Sequence, residues 1–190
     1  GEWSRAQHFT TLSFPIRELQ GKRLGLVGYG TLARGVEKLA RAFGMRILIA
    51  QRPGGEPRDG RLEMDELLAQ ADVLSLHCPL LPATRHLIDA RALRTMKRSA
   101  ILINTSRGAV VDNAALADAL RDGEIAGAGI DVLEQEPPPS DHPLLRERLP
   151  NLIVTPHVAW ASLEARQRVV DKMAENLRAW LQGDPVRVVS

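Results

Sequence analysis

Six short apolar segments alternate with segments of helical periodicity, and this alternation restricts the possible fold of the chain more than any other feature of its sequence. Short apolar runs are typical of buried strands, and strands that alternate with helices form parallel sheets with helices packed on them. The pattern predicts an α/β fold with a doubly wound parallel sheet and helices on both faces. The predicted strands span 24–28, 45–50, 72–77, 100–106, 127–132 and 151–155, and the predicted helices span 32–43, 64–71, 89–96, 112–123 and 163–181.

The first predicted strand runs directly into a glycine turn, GLVGYGTLA, at residues 25–33. Gly28 allows a tight turn, Gly30 lets a phosphate pair approach the backbone, and Ala33 is small enough for close packing of strand and helix. The amides at the start of the following helix would point at the anion. An ordinary strand-to-helix turn could also use glycines for its geometry. Between a strand and a helix, however, this pattern predicts a Rossmann-type dinucleotide site.

The end of the second predicted strand bears on which dinucleotide binds. NAD sites carry an acidic residue about 20 positions after the glycine turn, where it binds the ribose 2′-hydroxyl. Gln51 occupies that place here, and Arg52 follows it. Glutamine does not repel a 2′-phosphate, and an arginine can bind one with two parallel hydrogen bonds. We therefore expect NADP or NAD as the cofactor and favour NADP, with a solvated Arg52 and no preference as the alternative.

The composition is that of an ordinary globular protein, with 190 residues of which 44% are hydrophobic and 25% charged. The single cysteine, Cys78, excludes an internal disulfide framework and favours a reducing, cytoplasmic location. No apolar run approaches the roughly 20 residues of a membrane-spanning helix. The formal net charge is +2 and the basic residues form no long run. We therefore expect neither nucleic acid nor a membrane as a partner, and no metal site.

Four further motifs occur in order along the chain. VLSLHCPLLPATRHLI occupies 73–88, NTSRG occupies 104–108, GIDVLEQEP occupies 129–137 and TPHVAW occupies 155–160. Together with the glycine turn they closely resemble the D-isomer-specific 2-hydroxyacid dehydrogenases, and the resemblance runs through essentially the whole chain. The form of the last motif is most similar to the glycerate dehydrogenase and hydroxypyruvate reductase branch.

The resemblance implies a role for each motif. Arg107 would hold the carboxylate of a small 2-keto or 2-hydroxy acid, His157 would exchange the proton, and Glu136 would hydrogen-bond His157. Asp131 would anchor the nicotinamide carboxamide. The residues expected to line the cofactor, besides the glycine turn and the end of the second strand, are Thr31, Leu32, Cys78, Pro79, Thr84 and Thr105.

The chemistry of these residue types is consistent with those roles. Hydride arriving at a 2-keto carbon leaves negative charge on oxygen, which requires a proton donor and a fixed cation nearby. Each residue also has a structural alternative. Arg107 could pair with a helix end in its turn, Glu136 could be a solvated loop acid, and His157 could be a hydrogen-bonded interior histidine.

The ends of the chain differ in character from its centre. Residues near the start include Trp3, Phe9 and Phe14 and resemble an arm, and a turn-rich tail follows the last predicted helix. The resemblance implies a separate substrate domain upstream, which we expect to be absent here, and a homodimer formed through the cofactor domains. The predicted divisions are an arm at 1–20, a dinucleotide-binding domain at 21–160, and a C-terminal helix and tail at 161–190.

Three functions follow as hypotheses. The leading one is hydride transfer between NAD(P)H and a small acid of the hydroxypyruvate or glyoxylate type, with little turnover and weak cofactor binding by this chain alone. A second is a dehydrogenase of the same family for phosphoglycerate or phosphite. The third is a non-catalytic NAD(H)-sensing module of the same fold, which could keep the same residues.

Overall fold

The computed structural model describes residues 1–13 and 16–188 and shows a parallel sheet built from six strands. Hydrogen bonds join the strands in the order β2-β1-β3-β4-β5-β6, and every pairing is parallel. The α/β, doubly wound prediction is thereby confirmed. The strands are β1 Arg23–Val27, β2 Arg46–Ile49, β3 Val73–Leu76, β4 Ile101–Asn104, β5 Gly127–Ile130 and β6 Leu152–Val154.

Helices connect most of these strands and begin at residues that suit a helix start. Asp89 accepts a hydrogen bond from Ala92 N, and Asp112 accepts two, so both carboxylates cap the helices that follow them. Gly44, at φ +73°, ends the first helix in the left-handed conformation that glycine adopts readily. The helices are α1 Thr31–Ala42, α2 Met64–Gln70, α3 Ala90–Thr95, α4 Asn113–Arg121 and α5 Leu163–Leu181.

The two faces of the sheet are covered by different helices. Helices α2, α3 and α4 pack side by side on one face, where Leu67, Leu93 and Leu116 are fully buried. Helix α1 covers the other face, where Ala33 and Ala40 are buried in a smaller cluster with residues of β1. Helices therefore lie on both faces, as predicted, and the larger core lies beneath α2 to α4.

The strand order determines where a ligand can enter. Strand β1 lies between β2 and β3, so the connections that leave β1 and β3 diverge to opposite sides of the sheet. In open parallel sheets this divergence leaves a crevice beyond the carboxyl ends of the strands. The glycine turn, the 77–84 segment, Arg107 and the loop after β5 all follow carboxyl ends and therefore share one edge.

The two ends of the chain make few contacts with the sheet. The first 13 residues contain one short 3₁₀ turn, Trp3–Arg5, and Trp3 and Phe9 are exposed. Helix α5 has no buried residue along its whole length. Phe14, which we assigned to the arm, lies outside the described residues. Within residues 1–13 and 16–188, no helix is both long and apolar enough to cross a membrane.

Candidate active site

The glycine turn leaves bare backbone at one end of the crevice. Gly28 has φ +87°, and a Cβ there would lie 2.7 Å from Cys78 N and from His77 C, so only glycine fits between β1 and β3. A Cβ at Gly30 would meet nothing within 4 Å. Gly30 also begins α1, which no side chain caps, so the first amides of the helix remain available to an anion. This geometry fits a dinucleotide pyrophosphate.

Gln51 and Arg52 follow β2 at the same edge. The Gln51 side chain donates from Nε2 to the Glu56 carbonyl at 2.8 Å, while its Oε1 is buried and accepts no hydrogen bond from the described residues. A buried acceptor without a donor is costly, and a ribose hydroxyl would satisfy it. Arg52 is exposed and belongs to none of the ion pairs found among the described residues.

The other residues expected to line the cofactor differ in exposure. Thr31, Pro79 and Thr105 are exposed, and Leu32 has 78% of its surface accessible. Cys78 is buried, and burial raises the pKa of its thiol, so it forms a neutral wall. Thr84 is also buried, and its hydroxyl donates to the Pro79 carbonyl and accepts from Leu81 N, which stabilises its own turn. Direct contact of Thr84 with a cofactor stays a prediction.

The structure brings Glu136 and His157 together. His157 Nδ1 lies 2.7 Å from Glu136 Oε2, and Glu136 Oε1 accepts a hydrogen bond from Leu133 N at 2.8 Å. Partial burial of Glu136 opposes its ionisation, but the hydrogen bonds from His157 and Leu133 outweigh that effect and lower its pKa. An ionised carboxylate can only accept. Nδ1 therefore carries the proton, and Nε2 is the ring nitrogen left for chemistry.

Asp131 holds the backbone on which His157 sits. Its Oδ1 accepts from Thr155 Oγ1 at 2.5 Å and from Val158 N at 2.9 Å, and its Oδ2 accepts from Ala159 N at 2.9 Å. Burial opposes its ionisation, but these hydrogen bonds outweigh that effect and hold the pKa of Asp131 below its usual value. His157 has φ +54°, a conformation that a residue other than glycine adopts only with support.

Arg107 stands on a loop that is locked against the Glu136 loop. A Cβ at Gly108 would lie 1.9 Å from Leu133 C, so the two backbones meet without an intervening side chain. Asn104 Nδ2 donates to the Arg107 carbonyl, and Arg107 Nη1 donates to the Ser106 carbonyl at 2.7 Å.

Arg107 and the Glu136–His157 pair share a cleft. Arg107, Glu136 and His157 all line the same space of about 190 Å³, and Glu136 and His157 also line a neighbouring cavity of about 640 Å³ with Asp131. In the described part of the chain, no group of three or more His, Cys, Asp or Glu side chains could hold a metal ion.

Two supporting residues of the site lie in the quoted motifs NTSRG and TPHVAW but were given no role from the sequence. Asn104 lies at the end of β4, where its side chain accepts from Ser106 N and donates to the Arg107 carbonyl. Thr155 reaches Asp131 from the start of the TPHVAW motif. Both residues act by holding a loop in place. A polar residue in or just after an apolar run is a sequence signal for such a supporting role.

Comparison with protein families gives one match that covers most of the chain. The model of the D-isomer specific 2-hydroxyacid dehydrogenase, NAD binding domain, matches residues 1–159. The glycerate dehydrogenase of Methylorubrum extorquens is 48% identical over 189 residues, which are 100% of this chain and 59% of that protein. The chain thus spans about three fifths of the length of this curated relative.

Solved structures give the same result. An acyclic imino acid reductase in complex with NADPH and D-Arg superposes with a TM-score of 0.84 at 32% identity, over 100% of this chain and 61% of that one. The D-lactate dehydrogenase of Lactobacillus jensenii with NAD⁺ superposes with a TM-score of 0.83 at 33% identity, over 100% of this chain and 63% of that one. Neighbours of this chain therefore include both an NADPH and an NAD⁺ complex.

The two glycines of the turn are expected to respond differently to the same change. Gly28→Ala should destabilise the fold by about 1–3 kcal/mol, because the added Cβ meets backbone at a positive φ. Gly30→Ala should leave thermal stability unchanged and weaken cofactor binding by about tenfold or more, because a methyl group would obstruct the pyrophosphate. Thermal melts and fluorescence titration with NADPH measure both effects. Equal behaviour of the two variants would contradict this assignment.

Asp131→Asn should destabilise the chain by about 1–3 kcal/mol near neutral pH, because an amide cannot accept at both of its terminal atoms. The pKa of Asp131 is lowered in the fold, so its carboxylate stabilises above the unfolded pKa near 4, and this contribution is lost as the pH falls through the folded value. The difference from wild type should therefore shrink below about pH 4. Denaturant melts across pH measure it, with the exposed Asp59→Asn as control. A pH-independent difference would refute the prediction.

Proposed function

The chain belongs to the D-isomer specific 2-hydroxyacid dehydrogenases and comprises their NAD-binding domain, and from this premise we propose that the protein interconverts a small 2-keto acid and its 2-hydroxy acid. The observation that carries the proposal is the His157–Glu136 pair facing the same cleft as Arg107. When bound, the nicotinamide supplies the hydride to the 2-keto carbon or takes it back.

In this proposal Arg107 binds the acid. Its guanidinium matches a carboxylate with two parallel hydrogen bonds and also polarises the adjacent carbonyl. One of its nitrogens is already committed to the Ser106 carbonyl, which orients the side chain before substrate arrives. No carboxylate among the described residues pairs with Arg107, so its positive charge remains available for the substrate.

His157 moves the proton. During reduction its Nε2–H gives a proton to the carbonyl oxygen, and during oxidation Nε2 takes that proton from the hydroxyl. Glu136 accepts from Nδ1–H throughout, which fixes the orientation of the ring and leaves Nε2 to exchange the proton. Asp131 supports the backbone of His157 and has one lone pair region on Oδ2 left to accept from a carboxamide, the role that we propose for it.

The relatives support the hydroxypyruvate or glyoxylate class of substrate. The related proteins include a glycerate dehydrogenase of Methylorubrum extorquens at 48% identity and a hydroxypyruvate reductase of Blautia hydrogenotrophica at 40% identity. We propose the same class for this protein.

We propose NADP as the preferred cofactor. The place of the acidic residue in NAD sites is taken by the uncharged Gln51, and Arg52 beside it has no carboxylate partner in the described chain. Neither residue repels a 2′-phosphate, and Arg52 attracts one.

The organisation of the whole protein is part of the proposal. We propose that residues 1–20 and 161–190 contact a separate substrate domain, and that 21–160 form the cofactor domain. The exposed apolar side chains of Trp3 and Phe9 and the unburied helix α5 favour such contacts and a homodimer. The cytoplasmic location indicated by the single cysteine stays a prediction.

His157→Gln should lower kcat by about 10²–10⁴-fold with 2-keto acids, because the glutamine carboxamide that replaces the imidazole cannot deliver a proton. Cofactor affinity should stay unchanged, since His157 does not hold the dinucleotide. The measurement is steady-state kinetics of the full-length gene product with a panel of 2-keto acids, beside NADPH binding. His8→Gln, in the exposed arm, is the matched control.

Two outcomes would contradict this function. Full activity of the His157→Gln variant would remove the residue from its proton-transfer role. Tight NADPH binding by wild type without turnover of any 2-keto acid in the panel would favour the sensing module instead. Turnover of phosphoglycerate or phosphite alone would assign the protein to another substrate class of its family.

Parallel titration should show NADPH binding about tenfold tighter than NADH, and Arg52→Gln should remove most of that difference by weakening NADPH alone. Arg46→Gln, at the amino end of the same strand, is the control for loss of one positive charge. A clear preference of the wild type for NADH would overturn the choice of NADP.

A further inference from the structure

Tyr29, between the two glycines of the turn, lies beneath two arginines. The Arg34 guanidinium carbon is 5.4 Å from the centroid of the Tyr29 ring, and that of Arg61 is 5.8 Å from it. Both distances fall within the range in which a cation is attracted to an aromatic face. Arg34 belongs to the first turns of α1, whereas Arg61 lies at the far end of the loop after β2. The Tyr29 ring therefore contacts guanidinium groups from two separate segments.

The Tyr29 ring is itself fixed. Its hydroxyl hydrogen-bonds Glu37 one helical turn beyond Arg34, and Arg41 pairs with the same Glu37 carboxylate at 2.8 Å. The Glu37 charge is therefore matched by Arg41. None of the ion pairs in the described residues includes Arg34 or Arg61, and the acidic residues Glu56, Asp59 and Glu63 of the neighbouring loop form no pair with them.

Arg61 is placed beside the end of β2 by backbone pairing. Leu62 N donates to the Ile49 carbonyl at 2.9 Å, and Gln51 N donates to the Leu62 carbonyl at 2.7 Å. The segment that carries Arg61 thus runs parallel to the strand end that carries Gln51 and Arg52. Because β1 and β2 are neighbours, the glycine turn lies next to this pair.

We propose that Arg34 and Arg61, held over the ring of Tyr29, form a second arm of the binding site for the 2′-phosphate of NADP, in addition to Arg52. The inference rests on the proposed preference for NADP and extends it to residues outside the end of β2. Tyr29 acts as a positioning residue, because its ring orients the two guanidinium groups and leaves their N–H donors free for the phosphate.

The chemistry favours this anion over the other parts of the cofactor. A monoester phosphate carries nearly two negative charges near neutral pH and offers three acceptor oxygens, which suits several arginines at once. A ribose hydroxyl offers no charge, so NAD would gain little from the same cluster. The pyrophosphate is bound by the glycine backbone and the start of α1, which leaves these side chains for the adenosine end.

The test uses two small probes, 2′,5′-ADP and 5′-AMP, which differ by the 2′-phosphate. Isothermal titration calorimetry of the chain should show that Arg34→Gln and Arg61→Gln each weaken 2′,5′-ADP binding by about fivefold to tenfold. Binding of 5′-AMP should stay unchanged. Tyr29→Leu should weaken 2′,5′-ADP similarly, whereas Tyr29→Phe, which keeps the ring but loses its hydrogen bond to Glu37, should weaken it less than Tyr29→Leu does.

Matched controls separate specific from general effects. Arg46→Gln removes one positive charge at the amino end of β2, away from the carboxyl ends of the strands. It should change the affinity for neither 2′,5′-ADP nor 5′-AMP. A thermal melt of each variant shows whether it is folded, and a Tyr29→Leu variant that fails to fold leaves the two arginine variants to decide the outcome.

The outcomes distinguish this inference from the proposal on which it rests. Loss of 2′,5′-ADP affinity in Arg52→Gln alone, with Arg34→Gln and Arg61→Gln unaffected, would overturn the second arm and keep NADP as cofactor. Equal weakening of both probes would assign the arginines to a general phosphate contact and also overturn it. A wild type that binds 5′-AMP as well as 2′,5′-ADP would overturn both the second arm and the NADP preference.

Discussion

The hydrogen bonds to Asp131 are the interaction on which the candidate site depends. One buried carboxylate at the end of β5 accepts from a side chain and two amides of the 155–159 segment. These bonds offset the unfavourable left-handed backbone of His157, and Trp160 Nε1 adds a bond to the His157 carbonyl. These hydrogen bonds fix the backbone of His157, and the fixed backbone places its imidazole within hydrogen-bond distance of Glu136.

Close contact of bare backbones brings the rest of the site together. At Gly28 the end of β1 meets the end of β3, and at Gly108 the loop after β4 meets the loop after β5. Any side chain at either point would separate loops that must act on one ligand. The carboxyl edge of a parallel sheet provides such meeting points between neighbouring strands, because all of its strands end there.

The sequence predicted the elements better than the contacts between them. Helix α5 begins and ends where periodicity indicated. Strand β1 keeps its predicted length but is shifted by one residue, and the other five strands are shorter than predicted by one or two residues at their ends, where the hydrogen-bond ladder stops. The motifs identified Arg107, Glu136 and His157 as candidates. They also contain Asn104 and Thr155, but the motifs alone did not indicate the supporting role of these two residues. Their function arises from hydrogen bonds between distant segments, which only the folded chain defines.

Some arginines of this chain are held by carboxylates and others by neutral groups. Arg41, Arg121 and Arg187 pair with carboxylates, so their charges are matched within the protein. Arg85, at the carboxyl edge, is matched by Glu134 in the same way. Three other arginines near that edge are held by neutral groups instead: a backbone carbonyl orients Arg107, and an aromatic ring orients Arg34 and Arg61. Neutral support fixes direction without cancelling charge, so the attraction of these arginines is kept for an anion from outside. In the function that we propose, these arginines place a positive charge at each end of the crevice, for a carboxylate at one end and for a phosphate at the other.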